Sequence, residues 1–298
     1  MKDLIIIGAG CAGLTTALYA ARAGKSVLIF EKESIGGQIA SSPLIENYPG
    51  VPRMSGIEFA DHLFSQVTEL GVELEIDEVI KIESEGSVHH VFTSSQKYDA
   101  KAVIIATGAK HRTLGLEKEE LFTGHGVSYC ALCDGAFFKN KRVAIVGGGN
   151  TAITEAIYLS TYCESVTIIH RRDSFRADLS LMNQAESKSN IFWTKDTIIQ
   201  ELVGEKSLSG LKLLNTKTNS TSLLSVEGLF VAIGHLPQTK AFSELVPIDA
   251  EGFFDIGEDC KSPVPSIYVA GDCRKKNMRQ LTTAVADGAN ASMAVSNT

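Results

Sequence analysis

Two copies of one pattern, a glycine-rich turn set between apolar strands, constrain this chain more than any other feature. Leu4-Ile5-Ile6-Ile7 is a short continuous apolar run, which reads as a strand buried on both faces of a parallel sheet. It leads into Gly8-Ala9-Gly10-Cys11-Ala12-Gly13 and an Ala- and Leu-rich stretch expected to be helical to about Ala23, where Gly24 stops it. A second strand, Val27-Leu28-Ile29-Phe30, then ends on Glu31. Strand, glycine turn, helix and strand in this order form a dinucleotide-binding unit. Gly8 makes the tight turn, Gly10 lets the backbone approach a pyrophosphate, and Gly13 lets helix and strand pack closely. The helix N-terminus supplies free N–H groups to the phosphates.

The pattern returns with Val143-Ala144-Ile145-Val146, Gly147-Gly148-Gly149-Asn150-Thr151-Ala152, a helix, and Val166-Thr167-Ile168-Ile169. Gly147 lies 139 residues after Gly8; Glu31 follows Gly13 by 18 residues, and His170 follows Ala152 by 18. Tight turns alone do not explain two matches that stay in phase to the end of the second strand.

The shared terminal position separates the ligands. Glu31 can accept hydrogen bonds from both hydroxyls of an adenosine ribose, and would repel a 2′-phosphate. The second copy continues His170-Arg171-Arg172-Asp173-Ser174-Phe175-Arg176, and arginines suit a phosphate through charge and forked donors. The first site is therefore expected to hold FAD or NAD and the second NADP(H); the alternative is a solvated basic turn. Three further apolar strands end in ligand-facing residues: Ala102 to Ile105 before Thr107-Gly108, Leu229 to Ala232 before Gly234, and Ile267 to Ala270 before Gly271-Asp272. Such carboxyl ends are where open α/β sheets bind ligands. Linkers are expected at Lys110–Thr113 and Pro237–Lys240.

With 298 residues the chain has room for two domains, and 44% hydrophobic with 21% charged residues is a globular composition. A net charge of −7 argues against nucleic acid as a partner. Leu4 to Ala21 carries no charge, yet Asp3 and the three interrupting glycines disfavour a signal peptide or membrane span, which leaves the cytoplasm as the default location.

Of six cysteines, only Cys130-Ala131-Leu132-Cys133 forms a pattern, and Asp134-Gly135 follows it. Two cysteines at this spacing can close a redox-active disulfide. A zinc half-site would need two more ligands, and Cys260 and Cys273 do not form a second such pair. Asp134 is placed to give a proton to a departing thiolate, with a plain turn carboxylate as the alternative. Cys11, Cys163, Cys260 and Cys273 read as small packing residues.

Together these motifs resemble the low-molecular-weight thioredoxin reductases, in the family's order and over almost the whole chain. The resemblance rests on Gly8 to Gly13, Gly36-Gly37-Gln38, Glu46 to Gly50 around Asn47, Ala106-Thr107-Gly108, Cys130 to Gly135, Gly147 to Ala152, His170 to Ala177, and Gly271-Asp272 with Arg279-Gln280. It implies an α/β architecture of two Rossmann-like domains. An FAD domain (1–112 and 242–298) is split by an inserted NADPH domain (113–241) that carries the cysteines.

It also implies a homodimer, thioredoxin or a thioredoxin-like protein as acceptor, and a rotation between the domains. By motif position, Cys133 would lie against the flavin, Cys130 would attack the partner disulfide, and Asp134 would be the acid. Gly37, Gln38, Asn47, Thr107, Gly108, Gly271, Asp272, Arg279, Gln280 and Leu281 would join Gly8, Gly10, Cys11, Ala12, Gly13 and Glu31 around FAD. Gly147, Gly149, Asn150, Thr151, Ala152, His170, Arg171, Arg172, Arg176 and Gly234 would hold NADPH. The family often reads Glu-Glu-Ala where this chain has Thr154-Glu155-Ala156, and the segment after Gly288 is short. Alternatives are a ferredoxin-driven relative, which the arginines disfavour, and a non-catalytic FAD-binding redox sensor.

Overall fold

A computed structural model describes residues 1–296, and the chain divides into two compact units: residues 1–110 with those from 236 onward, and residues 111–235. The first unit opens with β1 (Lys2–Ile7), α1 (Cys11–Arg22) and β2 (Val27–Glu31). α2 (Gly56–Thr68), β3 (Glu73–Ile76), the hairpin of β4 (Val79–Glu85) and β5 (Val88–Thr93), and the long β6 (Lys97–Ile105) follow. The chain passes through β7 (Ala109–His111) into the second unit. There it forms α3 (Glu119–Phe122), β8 (Val127–Ser128), α4 (Ala131–Asp134), β9 (Arg142–Gly147), α5 (Asn150–Leu159), β10 (Ser165–Ile169), α6 (Leu179–Glu186) and β11 (Ile191–Thr194). A meander of β12 (Thr197–Gly204), β13 (Leu208–Asn215) and β14 (Thr221–Leu224) precedes β15 (Gly228–Ala232). β16 (His235–Pro237) leads back to the first unit, which ends with β17 (Ile267–Val269) and α7 (Leu281–Ser296).

Each unit is organised around a parallel sheet, as the apolar runs predict. In the first, the parallel order is β3-β2-β1-β6-β17, with β5 and β4 antiparallel beyond the first half of β6. Leu4 sits between Val27 and Ala102, and Ile5, Ile6 and Ile7 continue that register. All four side chains are buried, because one face is covered by α1 and α7 and the other by Phe242, Val246 and Phe254. In the second unit the order is β11-β10-β9-β15-β8, all parallel, with the antiparallel meander as a separate sheet. Ser55 and Glu58 cap α2 reciprocally, which accounts for its sharp start without an apolar signal.

Two sequence expectations are revised. The segments expected as polar linkers begin as strands: β7 and β16 pair in a two-stranded ribbon, and the Arg112 N–H donates to the Gly234 carbonyl at 3.0 Å. The units also divide at 110/111 and 235/236, ahead of the expected 112/113 and 241/242. Residues 238–242 belong to the first unit: the Gln238 N–H donates to the Gly108 carbonyl, the Thr239 hydroxyl to the Gly252 carbonyl, and Phe242 is buried in the core.

Gly288 is where α7 crosses α1. A Cβ there would lie 2.4 Å from the Ala12 carbonyl oxygen and 2.9 Å from the Thr15 Cβ, while the Thr16 hydroxyl donates to the Gly288 carbonyl. Gly288→Ala must push the two helices apart. We expect it to cost about 1–3 kcal/mol, seen as a lower thermal midpoint of the FAD-free protein.

Candidate active site

The first glycine loop is held from three sides. The Gly8 N–H donates to the Phe30 carbonyl, the Gly36 N–H to the Ala9 carbonyl, and Gly10 pairs with Gly36. Gly13 packs so tightly that a Cβ would lie 1.9 Å from the Gly8 carbonyl oxygen. Glu31, at the end of β2, is buried; its Oε2 accepts the Ala9 N–H at 2.8 Å and its Oε1 the Glu33 N–H at 2.8 Å. The acid thus shapes the loop and retains lone pairs for ribose hydroxyls. Ala12 and Cys11 start α1, and burial, with Asp272 nearby, pushes the Cys11 thiol up to about 12. Burial likewise pushes up the thiols of Cys163, Cys260 and Cys273, consistent with packing residues.

Distant segments of the first unit meet at this loop. Gly271, in a left-handed turn at φ +83°, abuts Ala12 so closely that a Cβ would sit 2.9 Å from the Ala12 Cβ. Asp272 follows it. Asn47 Nδ2 donates to Gln280 Oε1 at 3.3 Å, which joins residues expected in one site from opposite ends of the chain. Leu281 begins α7 and packs toward Cys11. Gly37 opens a short turn beside Gly10, and Gln38 is exposed. Thr107 uses its hydroxyl on the Gln238 carbonyl at 2.6 Å. Arg279 lies over the Phe253 ring at 3.8 Å and donates to the carbonyls of Asp272, Arg274 and Lys276, so it braces the 272–276 turn.

In the second unit, Gly147 ends β9, Gly149 caps α5, and Asn150, Thr151 and Ala152 form its first turn. Asn150 is tied to Asp178 by reciprocal hydrogen bonds of 2.9 and 2.8 Å, and Gly234 follows β15, whose last residue, Ala232, pairs with Gly147. The basic segment is not uniformly outward. His170 is buried, its ring packed against Gly148 and stacked on Phe175, with Nε2 3.1 Å from the Ser174 carbonyl. Arg171, Arg172 and Arg176 are exposed, and none of them pairs with a carboxylate among the described residues. The neighbouring Asp173 is engaged by Lys217 at 3.2 Å, and the Arg176 N–H donates to the Gly148 carbonyl at 2.8 Å. The backbone of this segment is thus anchored to the second glycine loop, and its three arginine side chains are left exposed with no carboxylate partner among the described residues.

The cysteine pair is also in the second unit. A disulfide joins Cys130 to Cys133, with Cys130 capping α4 and both half-buried. Ser128 organises the motif: its hydroxyl donates to Asp134 Oδ2 at 2.6 Å and accepts the Cys130 N–H at 3.1 Å. Burial raises the Asp134 carboxyl above its ordinary range, opposed by the Ser128 hydrogen bond, and this favours the proton-bearing form that an acid needs. Glu119 caps the preceding loop, accepting the N–H groups of Leu114 and Gly115 and the Tyr129 hydroxyl. Ser128 and Glu119 were not legible beforehand, since a lone Ser and a Glu in an acidic stretch carry no signature.

A family model described as pyridine nucleotide-disulphide oxidoreductase matches residues 2–288. The chain belongs to that family. Thioredoxin reductase from Listeria monocytogenes is 42% identical over 96% of this chain and 90% of its own length. The enzyme of that name from Streptomyces coelicolor is 40% identical over 98% and 92%. The crystal structure of thioredoxin reductase from Streptococcus pyogenes superposes with a TM-score of 0.95 at 42% identity, covering 99% of this chain and 97% of that one. The pyridine nucleotide-disulphide oxidoreductase identified in this way is a disulfide reductase of the thioredoxin reductase type, and its family implies flavin and NADPH. Its residues fit both groups. The buried Asp272 Oδ1, which no protein donor hydrogen-bonds, suits hydroxyls of a flavin nucleotide, and the unpaired arginines suit the extra phosphate of NADPH. Among the described residues no helix is long and apolar enough to cross a membrane.

Proposed function

We propose that this reductase passes two electrons from NADPH, through FAD held by the first unit, to the Cys130–Cys133 disulfide and on to oxidised thioredoxin or a thioredoxin-like protein. The observation that carries this reading is the disulfide itself, closed in a CxxC motif with a raised carboxyl two hydrogen bonds away through Ser128. Bound flavin supplies the exchange between a two-electron hydride donor and a disulfide. Two electrons and two protons convert the Cys130–Cys133 bond into two thiols. The Cys130 thiolate then attacks the acceptor disulfide, Cys133 resolves the mixed disulfide, and Asp134 gives a proton to the departing thiolate. Arg171, Arg172 and Arg176 hold the 2′-phosphate, Gly147 to Ala152 receive the pyrophosphate, and Glu31 receives the FAD ribose. A cytoplasmic homodimer completes the reading, on the resemblance alone.

The roles of the two sulfurs are separable. After reduction, Cys130→Ser keeps a thiolate at 133, and we expect it to show the long-wavelength absorption of a thiolate against a flavin ring. Cys133→Ser should lack that band. The band in the second variant alone would exchange the roles. Steady-state turnover with NADPH and a thioredoxin disulfide tests the function as a whole, and its absence would favour a redox sensor.

A further inference from the structure

The turn after β17 holds a buried ionic cluster that the motifs do not announce. Asp287, the sole charged residue of α7, is 2% exposed. Its Oδ2 accepts the Gly271 N–H, Arg274 Nε and Lys276 Nζ, each at 2.9 Å, and its Oδ1 accepts Arg274 Nη2 at 2.7 Å. The Arg274 side chain is 2% exposed and that of Lys276 3%. Lys276 Nζ also stands 3.5 Å from Asp272 Oδ1, an ion-pair distance too long for a good hydrogen bond, and that oxygen is buried with no hydrogen-bond partner. A buried ammonium aimed by one carboxylate at a second, unsatisfied one does more than hold a turn together.

We propose that Lys276, held by Asp287, is a positioning residue that keeps Asp272 an ionised acceptor for the hydroxyl groups of bound FAD. This rests on the assignment of FAD to the first unit. The charges around Asp272 are few. From its own turn come Lys276, Arg279 and the thiol of Cys273; α7 contributes Asp287, and α1 the thiol of Cys11. Burial pushes the Asp272 carboxyl up; Lys276 and then Arg279 pull it back, while Asp287 pushes it up further. Asp287, which burial alone would also raise, is brought below its ordinary range by Arg274 and Lys276. Lys276 is thus the closest group opposing protonation of Asp272, and a protonated Asp272 would lose an acceptor that the hydroxyls need.

Lys276→Met should leave the turn standing, because Asp287 keeps both Arg274 and the Gly271 N–H. The test is fluorescence titration of the full-length FAD-free protein with FAD from pH 6 to pH 9, with thermal midpoints of the FAD-free proteins taken alongside. The unmodified protein is expected to bind with nearly constant affinity across that range. Lys276→Met should bind within about threefold of it at pH 9 and weaken progressively, by a larger factor than the unmodified protein, toward pH 6, as Asp272 takes up a proton. Lys276→Arg should restore the flat profile. A Lys276→Met curve that runs parallel to the unmodified one, displaced or not, overturns the inference and leaves Lys276 a structural prop. An unmodified protein that binds no FAD at any pH overturns the cofactor assignment instead.

Discussion

Combining Cys130→Ser with Cys133→Ser is expected to leave reduction of bound FAD by NADPH within about twofold of the unmodified rate, while thioredoxin reduction falls about a thousandfold or more. The asymmetry follows from what each sulfur touches. Ser at 130 can still cap α4 as the Cys130 sulfur does for the Cys133 N–H. The other free cysteines, at 11, 163, 260 and 273, are buried with raised thiols and cannot substitute. Rapid-mixing absorbance of the flavin gives the first rate, and a coupled disulfide assay the second. Small acceptors that take electrons directly from the flavin should still be reduced. Retained thioredoxin reduction would remove the pair from the electron path, and lost flavin reduction would make the cysteines structural.

The second large effect concerns the nicotinamide cofactor. Charge-assisted hydrogen bonds are worth about 1.5–3 kcal/mol each, and exposed ones lie toward the low end. At about 1.5 kcal/mol for each lost contact, Arg171→Gln with Arg172→Gln should therefore reduce the ratio of kcat/KM for NADPH to that for NADH by about 100- to 200-fold. Most of the change should appear as a higher KM for NADPH, since NADH has no phosphate to lose. Raised salt should weaken NADPH binding to the unmodified protein more than to the variant. Equal use of both cofactors by the unmodified enzyme would remove the phosphate role from this loop.

The parts of the fold and site legible in the sequence share one property: their chemistry is written in consecutive residues. The glycine turns, the apolar strands around them, the cysteine pair and the basic segment all depend on local spacing. What escaped depends on contacts between distant residues. His170 looks like one more cation in a basic run, yet its ring fills the space over Gly148, and only the packing of β10 against β9 reveals that. The linkers look polar, but each completes its backbone hydrogen bonds with the other. Asp287 did leave a signal, a single charge in an otherwise uncharged helix, which a buried partner usually explains. Its partners Arg274 and Lys276 lie in a polar loop that gives no hint of burial.

The interrupted first unit has a consequence for synthesis. A ribosome that has made residues 1–110 has produced β1, α1 and β6, but β6 still lacks its neighbour β17, and α1 lacks the cover of α7. The second unit is complete in sequence once His235 is made, so it can fold while the first waits. Its folding then changes what the first unit must overcome. Because β7 and β16 run side by side, a folded second unit brings residues 110 and 236 close together, and a long loop becomes a short one. Closing the first unit costs less chain entropy in that order than in the reverse. Lesions that destabilise only the second unit should therefore also delay completion of the first, and prolong the interval in which the edge of β6 is open to pairing with another nascent chain.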